Sequence, residues 1–271
     1  MHISRIILTA VAILLVVGMY FLPKVVVENE QTDEPTLEAA QESAPVASAH
    51  LREVPDSEAE LIALFKEEFK KAENPEKSAN FADSLAITFA DLNFHDSAAY
   101  YAVQALQLDS TAARLINAAD NHFEAFNYAV ELEEKEYWGQ LSRKYYQSAL
   151  DNDAQLYDEK AKMALTYLPT QPMQGVILLR EVVEAAPSNR LALYNLGLLS
   201  LQSNQFDKAV QRFESLVEAY PDDLEGQFYL GVAYFESGQT ADAKSQFQKL
   251  QDLDISPEMR SNLEAYMEEL K

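Results

Sequence analysis

The stretch RLALYNLGLLSLQSNQFDKAVQRFESLVEAYPDD at residues 190–223 is followed by LEGQFYLGVAYFESGQTADAKSQFQKLQDLDISP at 224–257. The second repeats the first at a shift of 34 residues: Leu196-Gly197 returns as Leu230-Gly231, Ala209 as Ala243 and Phe213 as Phe247. A fixed period of this length, holding two helical patterns, marks a stacked-repeat architecture. In the first half of the unit Leu193, Leu196, Gly197 and Ser200 share one helical face. In the second half Ala209, Phe213, Leu216 and Val217 do the same. Small residues such as Gly197 and Ala209 let the two helices approach, and Phe213 fills the groove beside them. The turn between the helices carries Asn204 in one unit and Gly238 in the other, both tolerant of positive φ. Pro221 closes the second helix, because the residue before a proline avoids the helical region.

These residues resemble the tetratricopeptide repeat (TPR), whose units read large–leucine–glycine–aromatic and then alanine–aromatic–small–proline. Leu193, Leu196, Gly197, Ala209, Phe213 and Pro221 match, with Ser200 in place of the usual aromatic. Leu230, Gly231, Tyr234, Ala243 and Phe247 match in the next unit, while Gln227 and Ile255 depart. One step back, Gly175, Leu179, Val182 and Pro187 form a weaker copy; two steps back, Leu141, Tyr145 and Ser148 form another. Ala98, Ala102 and Ala105 read as an earlier second helix, with Leu85, Ala86 and Phe89 on its partner. From Ala98 to Leu141 is 43 residues, so about nine are inserted, which predicts one lengthened first helix over roughly 112–134. Units are expected at about 79–112, 113–155, 156–189, 190–223 and 224–257. The implied fold class is all-α, a right-handed α-solenoid of about five TPR-like helix pairs with terminal capping helices. Ser57 to Glu60 suggests a capping box opening the leading cap, with Leu61, Leu64, Phe65, Phe69 and Ala72 as its apolar face. The closing cap, 258–271, turns Met259, Leu263 and Met267 inward.

Residues Ile6 to Leu22 form an uncharged, mostly apolar run of 17, preceded by Arg5 and followed by Pro23-Lys24. With its flanks it just reaches across a hydrocarbon core of about 30 Å. A cleaved signal peptide is the competing reading, but Met19-Tyr20-Phe21-Leu22 occupy the place where small residues should mark cleavage. Residues 1–27 therefore read as one transmembrane signal-anchor. Arg5 favours a cytoplasmic N-terminus. In a bacterium that makes a single-pass inner-membrane protein with its repeat domain in the periplasm. Residues 28–55, rich in Glu, Ala, Ser, Pro and Gln, read as a disordered acidic tether ahead of the 56–271 repeat domain.

Past Lys24 the chain has 19 Lys+Arg against 44 Asp+Glu, a net of −25. That field repels nucleic acid and anionic headgroups and attracts basic proteins. There is no cysteine, which excludes disulfides, thiol catalysis and a lipidated N-terminal cysteine. The four histidines, His2, His50, His95 and His122, form no His-x-x-x-His or Glu-x-x-His pair. No Gly-rich phosphate loop and no Gly-x-Ser-x-Gly occurs. No catalytic, cofactor or metal residue is assigned, and neither enzyme activity nor a small-molecule substrate is expected.

By resemblance to TPR arrays, the second, fifth, ninth and twelfth places of each unit face a concave groove that holds a peptide or helix. Here they are Tyr157, Lys160, Ala164 and Tyr167, then Leu191, Tyr194, Leu198 and Leu201, then Glu225, Phe228, Val232 and Phe235. Asn195 is compatible with the TPR subclass that clamps a C-terminal carboxylate, but apart from Lys160 its companion bases are missing. The expected site is thus an apolar, acid-rimmed groove for an apolar or basic protein segment. The same aromatics could instead pack between units. The expected function is a membrane-anchored adaptor or scaffold. A chaperone-like holder of unfolded or exported chains, and a self-associating structural protein using the aromatics near Tyr137-Trp138, stay open as alternatives.

Overall fold

The computed structural model describes residues 54–271, so the anchor, the 17-residue run within it and nearly all of the tether lie outside the described residues. Among the described residues every regular element is a helix. They are α1 (Asp56–Lys71), α2 (Pro75–Asp91), α3 (His95–Leu108), α4 (Ala112–Tyr128), α5 (Leu132–Asn152) and α6 (Tyr157–Tyr167). There follow α7 (Pro172–Ala185), α8 (Arg190–Gln202), α9 (Phe206–Ala219), α10 (Leu224–Glu236), α11 (Thr240–Gln251) and α12 (Pro257–Glu269). Each helix packs on the next in sequence, giving the stacked pairs α2–α3, α4–α5, α6–α7, α8–α9 and α10–α11 between α1 and α12. The first helices of neighbouring pairs also touch: α4 with α6, α6 with α8, α8 with α10. Among the described residues no two second helices come as close, so the first-helix side is the tighter side of the stack.

Local chemistry alternates with the same rhythm. In three of the five pairs the turn between the helices holds a left-handed residue: Asn93 (φ 60°), Asn204 (φ 54°) and Gly238 (φ 79°). The residue after each one donates back to the helix it has left: Phe94 N–H to Phe89 O, Gln205 N–H to Ser200 O and Gln239 N–H to Tyr234 O, all at 2.8 Å. The entry to a new pair is instead fixed by a side-chain cap in every pair but α6–α7, where Leu156 precedes α6 and caps nothing. Asn74, Thr111, Asn189, Asp223 and Ser256 accept from the first turns of α2, α4, α8, α10 and α12, whereas α3, α5, α7, α9 and α11 have no such bond. Each cap is worth about 1 kcal/mol.

The Leu-Gly pair has its reason in the core. A Cβ on Gly197 would lie 2.5 Å from the ring of Phe213, and one on Gly231 would lie 2.5 Å from Phe247. Both rings are fully buried.

Three expectations need correction. The 112–134 region is two helices, because Ala129 and Glu131 are extended and a fresh helix starts at Leu132 with Glu133 and Glu134 favouring its N-terminus. The inserted length is shared between α4 (17 residues) and α5 (21 residues). Ser57 is no cap: Pro55, at φ −57°, occupies that place, and the Ser57 hydroxyl bonds Glu58. On α1, Leu61 and Leu64 face out, while Ile62 is buried with Phe65 and Phe69 against it.

Candidate functional site

The first helices α6, α8 and α10 carry the residues expected to line the groove, and packing divides them. Phe228 and Val232 are buried in the core that α10 shares with α11 and α12. The Phe228 ring lies 6.0 Å from Phe247 and 6.3 Å from Tyr266, so the closing helix covers the last unit. Tyr157, Lys160, Tyr167, Tyr194, Asn195, Leu198, Leu201 and Phe235 stay half-buried, each leaving part of its side chain on the surface.

The polar members of the set are already engaged. Lys160 Nζ pairs with Glu181 at 2.8 Å, and Asn195 Nδ2 donates to Leu191 O of its own helix. Neither is poised for a peptide carboxylate. The ring of Tyr167 lies 4.4 Å from the Arg143 guanidinium of α5. Arg143 is itself fixed by Thr166 O at 2.9 Å and Glu136 at 2.7 Å. Tyr194 is clamped between neighbours: its ring meets Tyr229 at 5.7 Å and Phe213 at 6.3 Å, and the Arg190 guanidinium sits 5.6 Å away. Burial, with the charge of Glu225 behind it, pushes the Tyr194 phenol well above its ordinary range, so it presents a neutral hydroxyl.

Sequence reasoning missed Arg190. It donates to Asp223 (Nε to Oδ2, 2.6 Å) and to Glu225 (Nη2, 3.2 Å) across the α8–α10 boundary. Asp223 meanwhile accepts from Gly226 N–H, so one carboxylate caps α10 and ties it to α8. Arg114 repeats the device between α4 and α2, reaching Asp83 at 2.9 Å and Asn80 at 2.6 Å. The signal lies in opposite charges spaced near the repeat period, which only the folded chain brings together as these pairs. What remains on the first-helix side is an apolar strip of Tyr194, Leu198, Leu201 and Phe235 between such ties. Among the described residues no cluster of His, Cys, Asp or Glu could hold a metal.

Residues 197–258 match the tetratricopeptide repeat family. Those residues carry tetratricopeptide repeats. The fold of the chain is similar to that of a tetratricopeptide repeat protein from Parabacteroides merdae (TM-score 0.55, 18% identity, covering 79% of this chain and 81% of that one). It is also similar to the C-terminal part of a TPR repeat-containing protein from Cytophaga hutchinsonii (TM-score 0.53, 14% identity, covering 79% and 91%). At such identities the likeness is one of fold. In sequence, 96 residues are 29% identical to surface lipoprotein assembly modifier 1 of Neisseria meningitidis, covering 35% of this chain. The chain spans a fifth (20%) of that relative's length. TPR arrays are generally scaffolds for protein–protein interaction and typically not enzymes. Among the described residues no helix is long and apolar enough to cross a membrane.

Proposed function

We propose that this TPR chain is a membrane-anchored adaptor that holds an apolar or basic segment of another protein along α6, α8 and α10. The fold would be a right-handed solenoid with those helices lining its inner curve, residues 6–22 its anchor, and the array in the periplasm of a bacterium. The observation that carries the reading is the strip of half-exposed apolar side chains, Tyr194, Leu198, Leu201 and Phe235, left on the side where first helices touch. Extended or helical segments dock on such strips through a few anchoring side chains. The Neisseria relative's name, an assembly modifier of surface lipoproteins, agrees with an array that handles other proteins.

A photo-crosslinking residue at Leu198 or Phe235 should capture one discrete partner in cells. The same residue at Gln211, exposed on the opposite helix α9, should not. Tyr194→Ala should weaken the adduct without unfolding the array. Equal capture at Leu198 and Gln211 would remove the groove, and a smear of many unrelated chains would favour a chaperone-like holder.

A further inference from the structure

The two most exposed large apolar side chains among the described residues, Val130 and Met173, lie outside the first-helix strip. They lie at the edge where the turns within the pairs emerge. Val130 is 83% exposed and Leu132 57%, on either side of Glu131 in the α4–α5 turn. Tyr128, 56% exposed, ends α4 beside them. Met173, 66% exposed, opens α7. The α6–α7 turn is tied to the start of α5. Thr170, three residues before Met173, donates to Glu136, one helical turn beyond Leu132, at 2.7 Å. The edge is also held in place. The Tyr128 hydroxyl donates to Asn93 at 3.1 Å, and its ring lies 3.9 Å from that of His95 in the preceding pair. An exposed apolar group this concentrated on a fixed edge marks a contact surface rather than scattered surface leucines.

Charge selects the occupant. Glu131 and Glu133 stand exposed among these residues and Glu134 half-exposed, and none of the three has an ion pair among the described residues. Nearby cations are engaged elsewhere: Lys135 donates to Phe126 O at 3.2 Å and lies over the Phe126 ring, and Arg143 pairs with Glu136. A second copy meeting the same edge would bring its own glutamates face to face with these, and an anionic bilayer would be repelled. We propose that the edge formed by Tyr128, Val130, Leu132 and Met173 is a second docking surface, which takes a basic amphipathic helix of a partner protein. Leu or Ile on that helix would cover Leu132 and Met173, while flanking Lys or Arg meet Glu131, Glu133 and Glu134.

The test uses a fluorescent amphipathic peptide built from Leu and Lys, its mirror in charge built from Leu and Glu, and anisotropy at about 0.15 M salt. The Lys peptide should bind and the Glu peptide should not. Leu132→Gln with Met173→Gln should weaken binding about tenfold or more, as loss of central apolar anchors does. Replacing the three glutamates by Gln should weaken it several-fold and flatten its salt dependence, whereas Gln211→Ala, exposed on α9 outside both surfaces, should leave it unchanged. Wild-type affinity in the Leu132→Gln/Met173→Gln protein would overturn the proposal, as would equal binding of the Glu peptide. So would a wild-type dimer in light scattering that this double variant dissolves, since a second copy would then be the occupant.

Discussion

His122 lies within α4, 4% exposed, with its Nδ1 on Ala118 O at 2.7 Å and its ring beside Trp138 (5.9 Å) and Tyr145 (5.1 Å). Burial drives its pKa from the ordinary 6.5 down to about 4, because an imidazolium there would lose its water; the Ala118 hydrogen bond only partly opposes this. The unfolded chain therefore binds a proton between about pH 6.5 and 4 that the folded chain refuses. Stability is intact above the unfolded pKa and falls as the pH drops through that window. At 1.36 kcal/mol per unit, the loss reaches about 2 kcal/mol by pH 5 and about 3 kcal/mol by pH 4. The acidic surface titrates over the same range, so the comparison must be made against His122→Phe, which shares every carboxylate but cannot titrate at that position. Ala118 O keeps its helical partner in that variant, so no buried acceptor is orphaned. Trp138, the sole tryptophan, touches the site and reports its unfolding in urea by fluorescence. Wild type should lose about 2 kcal/mol more than His122→Phe between pH 7.5 and 5, whatever the offset between them. Parallel pH curves would refute the reasoning and show that His122 takes a proton in the folded state.

Gly197→Ala should cost about 1–3 kcal/mol, since its Cβ meets the Phe213 ring at 2.5 Å. Adding Phe213→Leu should cost less in that background than in wild type, and simple additivity in urea melts would contradict the close approach. Asp223→Ala, which loses both a helix cap and the Arg190 partner, should cost about 1–2 kcal/mol. Arg190→Gln, at an exposed guanidinium, should cost under about 1 kcal/mol, and the reverse order would sink the assignment. Because the chain has no cysteine, Ser261→Cys on α12 gives one label site. A membrane-impermeant maleimide admitted only to the periplasm should modify it, and labelling only after lysis would place the array in the cytoplasm.

The parts of the fold that were legible in the sequence are those decided within one unit. Gly197 facing Phe213 and the left-handed Asn204 and Gly238 are local necessities, and they recur at 34 residues. The candidate groove was only half legible, because exposure of a first-helix residue depends on what the next unit brings. Tyr194 and Phe228 hold the same place in successive units. Over Phe228 stands Tyr266 of the closing helix, and it is sealed; beside Tyr194 stand Tyr229 and the partly open Arg190, and its ring remains accessible. The irregular start was misread for a related reason. Nothing in the residue pattern distinguishes a long helix over 112–134 from two helices broken at Ala129–Glu131, because Ala129 is buried as a helical residue would be.

The charges of the array act on two length scales, and that separation decides which partners it admits. Between units, Arg114 with Asp83, Lys162 with Asp120 at 2.8 Å, and Arg190 with Asp223 are direct contacts that couple neighbouring units at three of the four boundaries. Asp120 shows how such a tie reaches the core: it also accepts the hydroxyl of the fully buried Tyr146, at 2.5 Å. Each tie occupies a carboxylate along with its cation, so the ties leave the acidic excess of the composition undiminished on the remaining surface. Over 56–271 there are 18 Lys+Arg against 37 Asp+Glu. Direct contacts are weakly screened, whereas the field of unpaired glutamates decays over about 8 Å at physiological salt. Raising salt should therefore weaken capture of a basic segment well before it loosens the stack. An array whose partner affinity and urea midpoint declined together with salt would have its units held by the long-range field, contrary to the geometry of Arg114, Lys162 and Arg190.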